Sequence, residues 1–291
     1  MEIVQASERR VFHKRSHTLE RQETEIAALA LIGQQAAGLP VPSVMGQSID
    51  PEGPILVLSY EDGANLADLL TPSAYAPPLP PTYQRVKLPV RPSASELCPL
   101  LSEVGRAVRL LHNIRLDKFG KQVGEEPNPH RWNARAFTYQ EFAHRSYMGY
   151  EKGFLSDALV QKIMEWADRE THRLIETEPP CLVHYDLHAG NIRVCSDPDT
   201  GAWRLRVLYD FELARGWLSE WDLAALVWDI RNIVEGADRV WGAFLEGYGP
   251  VESARLRLFE GLRAVSGVAY TDRYPEWGAW CLLLLLEMIE N

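Results

Sequence analysis

The sequence has few cysteines, and none is spaced as a metal site would require. Its four cysteines include no CxxC pair and no histidine partner at ligand spacing. Structural zinc sites need such clusters, and disulfide frameworks need several cysteines at close spacings. The pattern therefore disfavours both and fits a reducing cytoplasm. The scattered residues are Cys98, Cys181, Cys195 and Cys281.

Long apolar runs are also absent. The longest, residues 279–286, is far shorter than the roughly 20 helical residues that cross a bilayer. We interpret it as a buried terminal helix. Residues 1–15 lack the apolar segment of a secretory signal. We therefore expect a cytoplasmic protein without a membrane partner.

Positive charge is scarce in this chain. It has 30 Lys and Arg against 40 Asp and Glu, a formal net charge of −10. Binding to a nucleic-acid backbone depends on clustered basic residues, so nucleic acid is not expected as a partner. Residues 181–291 contain 17 acidic and 10 basic groups, which predicts a cationic or amine-bearing ligand. The alternative is that this acid excess only keeps the surface hydrated.

Residues 1–62 predict a small lobe of strands around one helix. Strand patterns occur in EIVQ and RRVFHK, and again in SVMGQSI and PILVLSY, which a DPEG turn joins. A helix pattern, TEIAALALIGQQ, lies between the two pairs. Seven of the 19 prolines then fall between Thr71 and Pro92, which predicts an irregular loop.

Residues 63–291 predict a larger, mainly α-helical lobe. From Ser93 onward apolar residues recur at helical spacing, and one β-hairpin interrupts them, with NIRVC and WRLRVLYD around a DPDTG turn. The predicted fold class is therefore α+β, in two lobes. The buried face of the first long helix is predicted to contain Leu97, Leu100, Leu101, Val104, Val108 and Leu111.

Three polar residues around this hairpin have the spacing of a phosphoryl-transfer site. Asp186 is followed five residues later by Asn191, and Asp210 begins an Asp-Phe-Glu sequence at the end of the next strand. Phosphoryl transfer needs an oriented hydroxyl, a divalent metal on the phosphates and cations that hold the nucleotide. The order of the three side chains is that of the catalytic and metal-binding segments of kinases.

A longer stretch around these residues resembles a known family. LVHYDLHAGNIRV followed by VLYDFE resembles the HGDxxxxN and DFE motifs of the aminoglycoside phosphotransferase and choline kinase-like superfamily. GLPVPSV, ILVLSYEDGANL and VGRAVRLLHNI resemble its strand, hinge and long helix, so the likeness covers most of the chain. It implies a bilobal protein kinase-like fold with an abbreviated β-rich N-lobe. It also implies transfer of the γ-phosphoryl group of ATP or GTP, with Mg²⁺, to a hydroxyl of a small molecule such as an antibiotic or a sugar or amino metabolite.

The resemblance implies a role for each residue of the motif. Asp186 would orient the acceptor hydroxyl and accept its proton, and His184 would brace the loop. Asn191 and Asp210 would hold the magnesium ion. Tyr185 stands where the family usually has glycine, which leaves the predicted catalytic groups in place but crowds the loop.

The family also implies a strand lysine on the phosphates, paired with a helix glutamate. Lys14 is the only lysine before Lys87, and we pair it with Glu25, with Glu23 as the alternative. The default interpretation of Lys14 and Glu25 is a pair of solvated surface charges. The segment 57–63 would be the hinge, where backbone groups near Tyr60 and Glu61 would contact a purine edge.

One expected part is missing from the small lobe. Only 13 residues precede Lys14 and no glycine occurs before Gly33, which is enough for one strand but not for a preceding strand and a phosphate-covering loop. Either the chain starts late relative to its relatives, or it binds nucleotide with an abbreviated N-lobe. A catalytically silent nucleotide- or ligand-binding homologue is therefore the alternative to an active kinase.

Other interpretations apply to the remaining polar residues. His184, Asp186 and His188 spell HxDxH, which also occurs in hydrolytic metal sites, but the sequence shows no further ligands at the right spacing. We interpret His188 as structural. Glu212 either supports the metal or bonds to backbone near Asp210.

Overall fold

A computed structural model of the chain describes residues 2–6, 9–70, 91–123, 130–231 and 236–290. The first part of the chain forms one antiparallel sheet with strand order β1-β2-β4-β3 and a single long helix, α1. The elements are β1 (Glu2–Ala6), β2 (Arg9–Arg15), α1 (Leu19–Gln35), β3 (Val44–Asp50) and β4 (Gly53–Ser59).

Helix α1 begins five residues before the predicted start. Thr18 caps it, because the Thr18 side chain accepts a hydrogen bond from the backbone N–H of Arg21 at 3.2 Å. The helix buries Ala28 and Ile32 in the same apolar core as Leu56 of β4. This packing fixes the position of Glu25, one helical turn before Leu29.

The rest of the chain is mainly helical, as the sequence predicts. Its strands are β5 (Ala64–Asn65), β6 (Cys181–Val183), β7 (Ile192–Ser196), β8 (Trp203–Leu208) and β9 (Arg215–Trp217). Its helices are α2 (Leu66–Leu69), α3 (Ala94–His112), α4 (Ala134–Glu151), α5 (Asp157–Thr171), α6 (Glu220–Arg231), α7 (Ala237–Tyr248), α8 (Ser253–Ala269) and α9 (Pro275–Glu290).

Two small sheets hold the segments that contain the motif residues, namely the loop between β6 and β7 and the segment after β8. Strands β5, β7 and β8 form one sheet, and β6 pairs with β9 in the other. The predicted hairpin is therefore present as β7 and β8. Near the predicted boundary at 62–63, Gly63 has φ +150°, and a side chain there would overlap the carbonyl oxygen of Val194. The boundary itself stays a prediction.

The predicted burial agrees with the structure for α3 and differs from it for α9. All six apolar residues predicted for the buried face of α3 are buried. Helix α9 buries Cys281 and Leu285, but Leu283 is 68% exposed, so this helix is covered on one face only. No helix in the described residues combines the length and apolarity that a membrane span requires. Of the proline-rich segment, residues 71–90 lie outside the described residues.

Glycines allow α3 and α7 to pack closely. A Cβ atom on Gly105 of α3 would overlap the carbonyl oxygen of Phe244, and one on Gly247 of α7 would overlap that of Ser102. In both cases the obstacle is backbone, which cannot rotate away as a side chain can. Gly242, also on α7, has no atom within 4 Å of its ideal Cβ position.

We expect Gly247→Ala to lower the free energy of unfolding by about 1–3 kcal/mol, because the added methyl group forces the two helices apart. The matched control is Gly242→Ala, which gains helix propensity and should raise that free energy by up to about 1 kcal/mol. Urea denaturation of the two variants measures the difference. Equal effects of the two substitutions would contradict the close packing of α3 and α7.

Candidate active site

The loop between β6 and β7 carries the motif residues. The side chain of Asp186 is 47% exposed, whereas Asn191 is only 6% exposed. The Asn191 side-chain N–H donates to the backbone carbonyl of Asp186 at 2.9 Å. This bond closes the loop and leaves the side-chain oxygen of Asn191 as its remaining ligand atom.

Asp222, at the start of α6, anchors this loop through hydrogen bonds to its backbone. Its carboxylate accepts hydrogen bonds from the backbone N–H groups of His184 at 2.7 Å and Tyr185 at 2.9 Å. The ring N–H of His112 donates to it at 3.1 Å. Asp222 is fully buried, so these bonds replace its lost hydration. The sequence gives no spacing signal for this contact, because α6 lies far along the chain.

His184 connects the loop to the Asp-Phe-Glu segment. Its Nε2 atom donates to the backbone carbonyl of Tyr209 at 2.9 Å, and its ring packs 4.6 Å from the ring of Phe211. The His184 side chain is fully buried. A buried ring cannot contact a substrate, so these contacts are those of a positioning residue, in agreement with the bracing role expected for His184.

Lys14 lies among three carboxylates. Its Nζ atom is 2.6 Å from Glu25, 2.5 Å from Asp210 and 3.2 Å from Glu212. Glu25 is fully buried and also accepts the backbone N–H of Phe211 at 3.2 Å. The predicted contact between Lys14 and Glu25 is therefore present, although their role toward nucleotide stays a prediction. The alternative partner, Glu23, is exposed on another face of α1.

The charges in this cluster stabilise one another. Burial disfavours the charged form of Lys14, but the carboxylates of Glu25, Asp210 and Glu212 outweigh burial and raise its pKa. Burial would likewise raise the pKa of Asp210, but the charge and hydrogen bond of Lys14 overcome it, so the pKa of Asp210 is lowered. Both groups are therefore charged at neutral pH.

The same carboxylates are suited to a hard metal ion. Glu25, Asp210 and Glu212 each place a carboxylate oxygen within 4.8 Å of the others. Oxygen ligands of this kind fit Mg²⁺. Of the two residues predicted to bind metal, Asp210 belongs to this group, and Asn191 offers its side-chain oxygen from the neighbouring loop.

The histidines take no part in this group. Among the described residues, the metal-ligand cluster contains carboxylates alone. His188 accepts the backbone N–H of Gly190 at 3.0 Å and lies 3.8 Å from the Asp186 carboxylate. This supports the structural interpretation of His188 over a histidine-ligated hydrolytic site.

A cleft opens beside the cluster. Apolar side chains and the residues of the predicted hinge, Tyr60 and Glu61, line it. Two residues that the sequence did not indicate, Arg193 and Tyr209, also line it. The full lining is Phe12, Lys14, Glu25, Pro42, Leu58, Ser59, Tyr60, Glu61, Asn65, Arg193, Val207, Tyr209 and Asp210.

Sequence comparison agrees with this geometry. A sequence model described as the phosphotransferase enzyme family matches residues 8–259, which is most of the chain. The chain belongs to the phosphotransferase enzyme family. It is therefore an enzyme that transfers a phosphoryl group to an alcohol acceptor. No protein with a curated description matches the sequence.

Solved structures show the fold of this phosphotransferase. A protein assigned as a fructosamine-3-kinase from Thermobifida fusca is 21% identical, with a TM-score of 0.63 over 97% of this chain and 85% of that one. A thermostable mutant of aminoglycoside phosphotransferase APH(4)-Ia is 14% identical, with a TM-score of 0.65 over 99% and 89%. APH(3'')-Id from Streptomyces rimosus is 18% identical, with a TM-score of 0.52 over 89% and 86%. The bilobal protein kinase-like fold is thereby confirmed.

In this phosphotransferase, Tyr185 stands at the position where the family usually has glycine. Its backbone has φ +74°, a left-handed conformation that favours glycine. The side chain compensates through contacts with remote elements. Its hydroxyl accepts from Arg145 of α4 at 2.5 Å, its ring stacks on Trp221 at 5.0 Å, and the Arg215 guanidinium lies 3.6 Å from the ring centre.

Two substitutions separate the backbone strain at Tyr185 from its side-chain contacts. Tyr185→Ala and Tyr185→Gly both remove the ring, but only glycine relieves the left-handed backbone. We expect the glycine variant to have a free energy of unfolding about 1 kcal/mol higher than the alanine variant. Chemical denaturation of both measures this difference. An alanine variant as stable as the glycine variant would show that position 185 is not strained.

Proposed function

We propose that this phosphotransferase moves the γ-phosphoryl group of magnesium-bound ATP or GTP to a hydroxyl of a small molecule. The supporting observation is that Asp186 presents a half-exposed carboxylate on a loop that Asp222 anchors and that His184 joins to Tyr209, which lines the same cleft as Lys14 and Asp210. Two structural neighbours, an APH(4)-Ia mutant and APH(3'')-Id, were solved as complexes with ADP and an aminoglycoside.

The nucleotide would occupy the cleft with its base at Tyr60 and Glu61 and its phosphates at Lys14. Phe12, Leu58 and Val207 supply apolar surface for the base. Lys14 would exchange the carboxylate of Asp210 for phosphate oxygens while Glu25 keeps its position, since Glu25 is held by a second hydrogen bond, from the backbone N–H of Phe211.

Asp210 and Asn191 would hold Mg²⁺, with Glu212 in support. When bound, the ion would neutralise charge on the phosphate oxygens. Lys14 and Arg21 already contact Glu212, at 3.2 Å and 2.7 Å, and so keep this carboxylate oriented toward the cluster.

Asp186 would act on the acceptor. Its carboxylate would accept a hydrogen bond from the acceptor hydroxyl and take the proton as the oxygen bonds to the γ-phosphorus. The bond from that phosphorus to the bridging oxygen of the nucleoside diphosphate breaks at the same time, and the diphosphate leaves. The Asp222 contacts hold the loop still during this step, and positioning of this kind is a main contribution to phosphoryl transfer.

The acceptor is a hydroxyl-bearing small molecule such as a sugar, an amino metabolite or an aminoglycoside-like antibiotic. The acid excess of residues 181–291 predicts a cationic one, but the charges around Tyr185 are mixed. Arg145 and Arg215 contact Tyr185, Glu141 pairs with Arg145 at 3.1 Å, and Asp186 follows in the chain. These four charges balance, so we propose that the placement of hydroxyl groups selects the acceptor.

We expect Asp186→Asn to reduce single-turnover transfer by at least about a hundredfold while Mg-nucleotide affinity changes little, because Asp186 acts on the acceptor. An acceptor panel of sugars, choline, aminoglycosides and macrolides identifies the substrate first. The matched control is Asp199→Asn, on the exposed turn between β7 and β8, which should leave transfer unchanged. Near-normal transfer by the Asp186 variant would remove Asp186 from its proposed role.

Asp210→Ala should instead weaken the binding of nucleotide in the presence of magnesium, because it removes a charged metal ligand. Calorimetric titration with ATP and GTP, with and without Mg²⁺, measures the effect. We expect the gain in affinity on adding Mg²⁺ to disappear in this variant. If that gain persists, Asp210 does not hold the metal.

The alternative is a nucleotide-binding protein without turnover. The observation in its favour is that Lys14 is already bound by three carboxylates, which compete with phosphates for its charge. Turnover separates the two functions. The protein has the binding function alone if it binds Mg-nucleotide but transfers no phosphoryl group, either to an acceptor or to water.

A further inference from the structure

We propose that the nucleotide cleft selects guanine over adenine and that Arg193 is the residue that decides this. The inference rests on the proposed function, since it assumes that the cleft holds a purine nucleotide. It goes further by choosing between the two nucleotides.

Arg193 is held inside the cleft by aromatic rings. It lies on β7, and its guanidinium carbon is 5.7 Å from the ring centre of Tyr60 and 5.4 Å from that of Tyr209. All three residues line the cleft. Tyr209 is itself fixed, because its hydroxyl donates to the carbonyl of Gly190 and lies 3.1 Å from the side-chain oxygen of Asn65. The arginine is therefore a wall of the base site.

The same guanidinium contacts the hinge. The Nη1 atom of Arg193 donates to the backbone carbonyl of Glu61 at 3.4 Å. This carbonyl belongs to the segment predicted to contact the purine edge, and it is the kind of acceptor that the amino group of adenine requires. Arg193 thus already bonds to the Glu61 carbonyl, the acceptor that an adenine amino group would need. It places its own N–H donors where that acceptor would otherwise face the base.

The charge of Arg193 is not neutralised by an ion pair. Within the described part of the chain, no carboxylate lies within ion-pair distance of it. The carboxylate of Glu61 pairs instead with Arg206, at 2.6 Å, on the outside of the cleft. A cation without a carboxylate partner favours a ligand that presents acceptor atoms.

Guanine and adenine differ at this edge. Guanine presents two acceptors, O6 and N7, and arginine donates to both; adenine presents one acceptor and an amino donor. A guanidinium facing adenine would oppose donor to donor and leave one group unpaired, which is costly in a partly buried site. The chemistry of Arg193 therefore fits a guanine nucleotide.

The first test is the affinity of the unmodified protein for the magnesium complexes of GTP, ITP and ATP, measured by calorimetry. We expect GTP to bind at least about tenfold more tightly than ATP, as one bidentate arginine contact implies. ITP shares O6 and N7 with GTP but lacks the 2-amino group, so it should bind like GTP. ITP binding as weakly as ATP would overturn the contact between Arg193 and this edge.

The second test uses variants of two arginines that contact Glu61. Arg193→Leu should bring the ratio of ATP to GTP dissociation constants close to one. Arg193→Gln should shift it further toward ATP, because an amide pairs with the donor and acceptor of adenine. The matched control, Arg206→Leu, removes the arginine outside the cleft and should keep the ratio of the unmodified protein. Thermal unfolding checks that each variant is folded. If Arg193→Leu does not fold, the test rests on Arg193→Gln.

Several outcomes would overturn the inference. ATP binding as tightly as GTP to the unmodified protein would do so, and so would a ratio that Arg193→Leu and Arg193→Gln leave unchanged. In these cases phosphoryl transfer from ATP to an acceptor would leave the proposed function standing. If no purine nucleotide binds, the proposed function fails together with the inference.

Discussion

The ion cluster around Lys14 is the interaction on which the geometry of the cleft edge depends. Lys14 bonds to Glu25 on α1 of the small lobe and to Asp210, which follows β8 of the large lobe. Glu25 in turn accepts the backbone N–H of Phe211. The ion cluster therefore joins three separate parts of the chain at the edge of the cleft, where a change in charge affects all of them.

This cluster also has more carboxyl groups than cations. Glu25, Asp210 and Glu212 supply three carboxyl groups, and burial raises the pKa of Glu25, whereas Lys14 and Arg21 supply two cations. Grouped carboxylates in a partly buried site repel one another unless cations separate them. A bound divalent ion would supply that charge and release Lys14 toward phosphate. Under the proposed function, magnesium and nucleotide binding would therefore be linked through the same lysine.

The loop between β6 and β7 depends on a second constraint, the buried carboxylate of Asp222. By accepting two consecutive backbone N–H groups, it fixes the chain at His184 and Tyr185, directly before Asp186. The left-handed backbone of Tyr185 is part of the same turn. A family that usually has glycine here avoids the strain, whereas this chain offsets it with ring contacts to Trp221 and Arg215.

The sequence by itself determined the two-lobed α+β fold and the buried face of α3, and it predicts the set Asp186, Asn191 and Asp210, because local periodicity and short motif spacing encode these features. It also indicated Lys14, the only lysine before residue 87. Only the tertiary structure decided that His184 is buried, that Asp222 holds the loop, and that Arg193 enters the cleft. These contacts join residues far apart in the chain, and no spacing in a single sequence records which distant side chains meet.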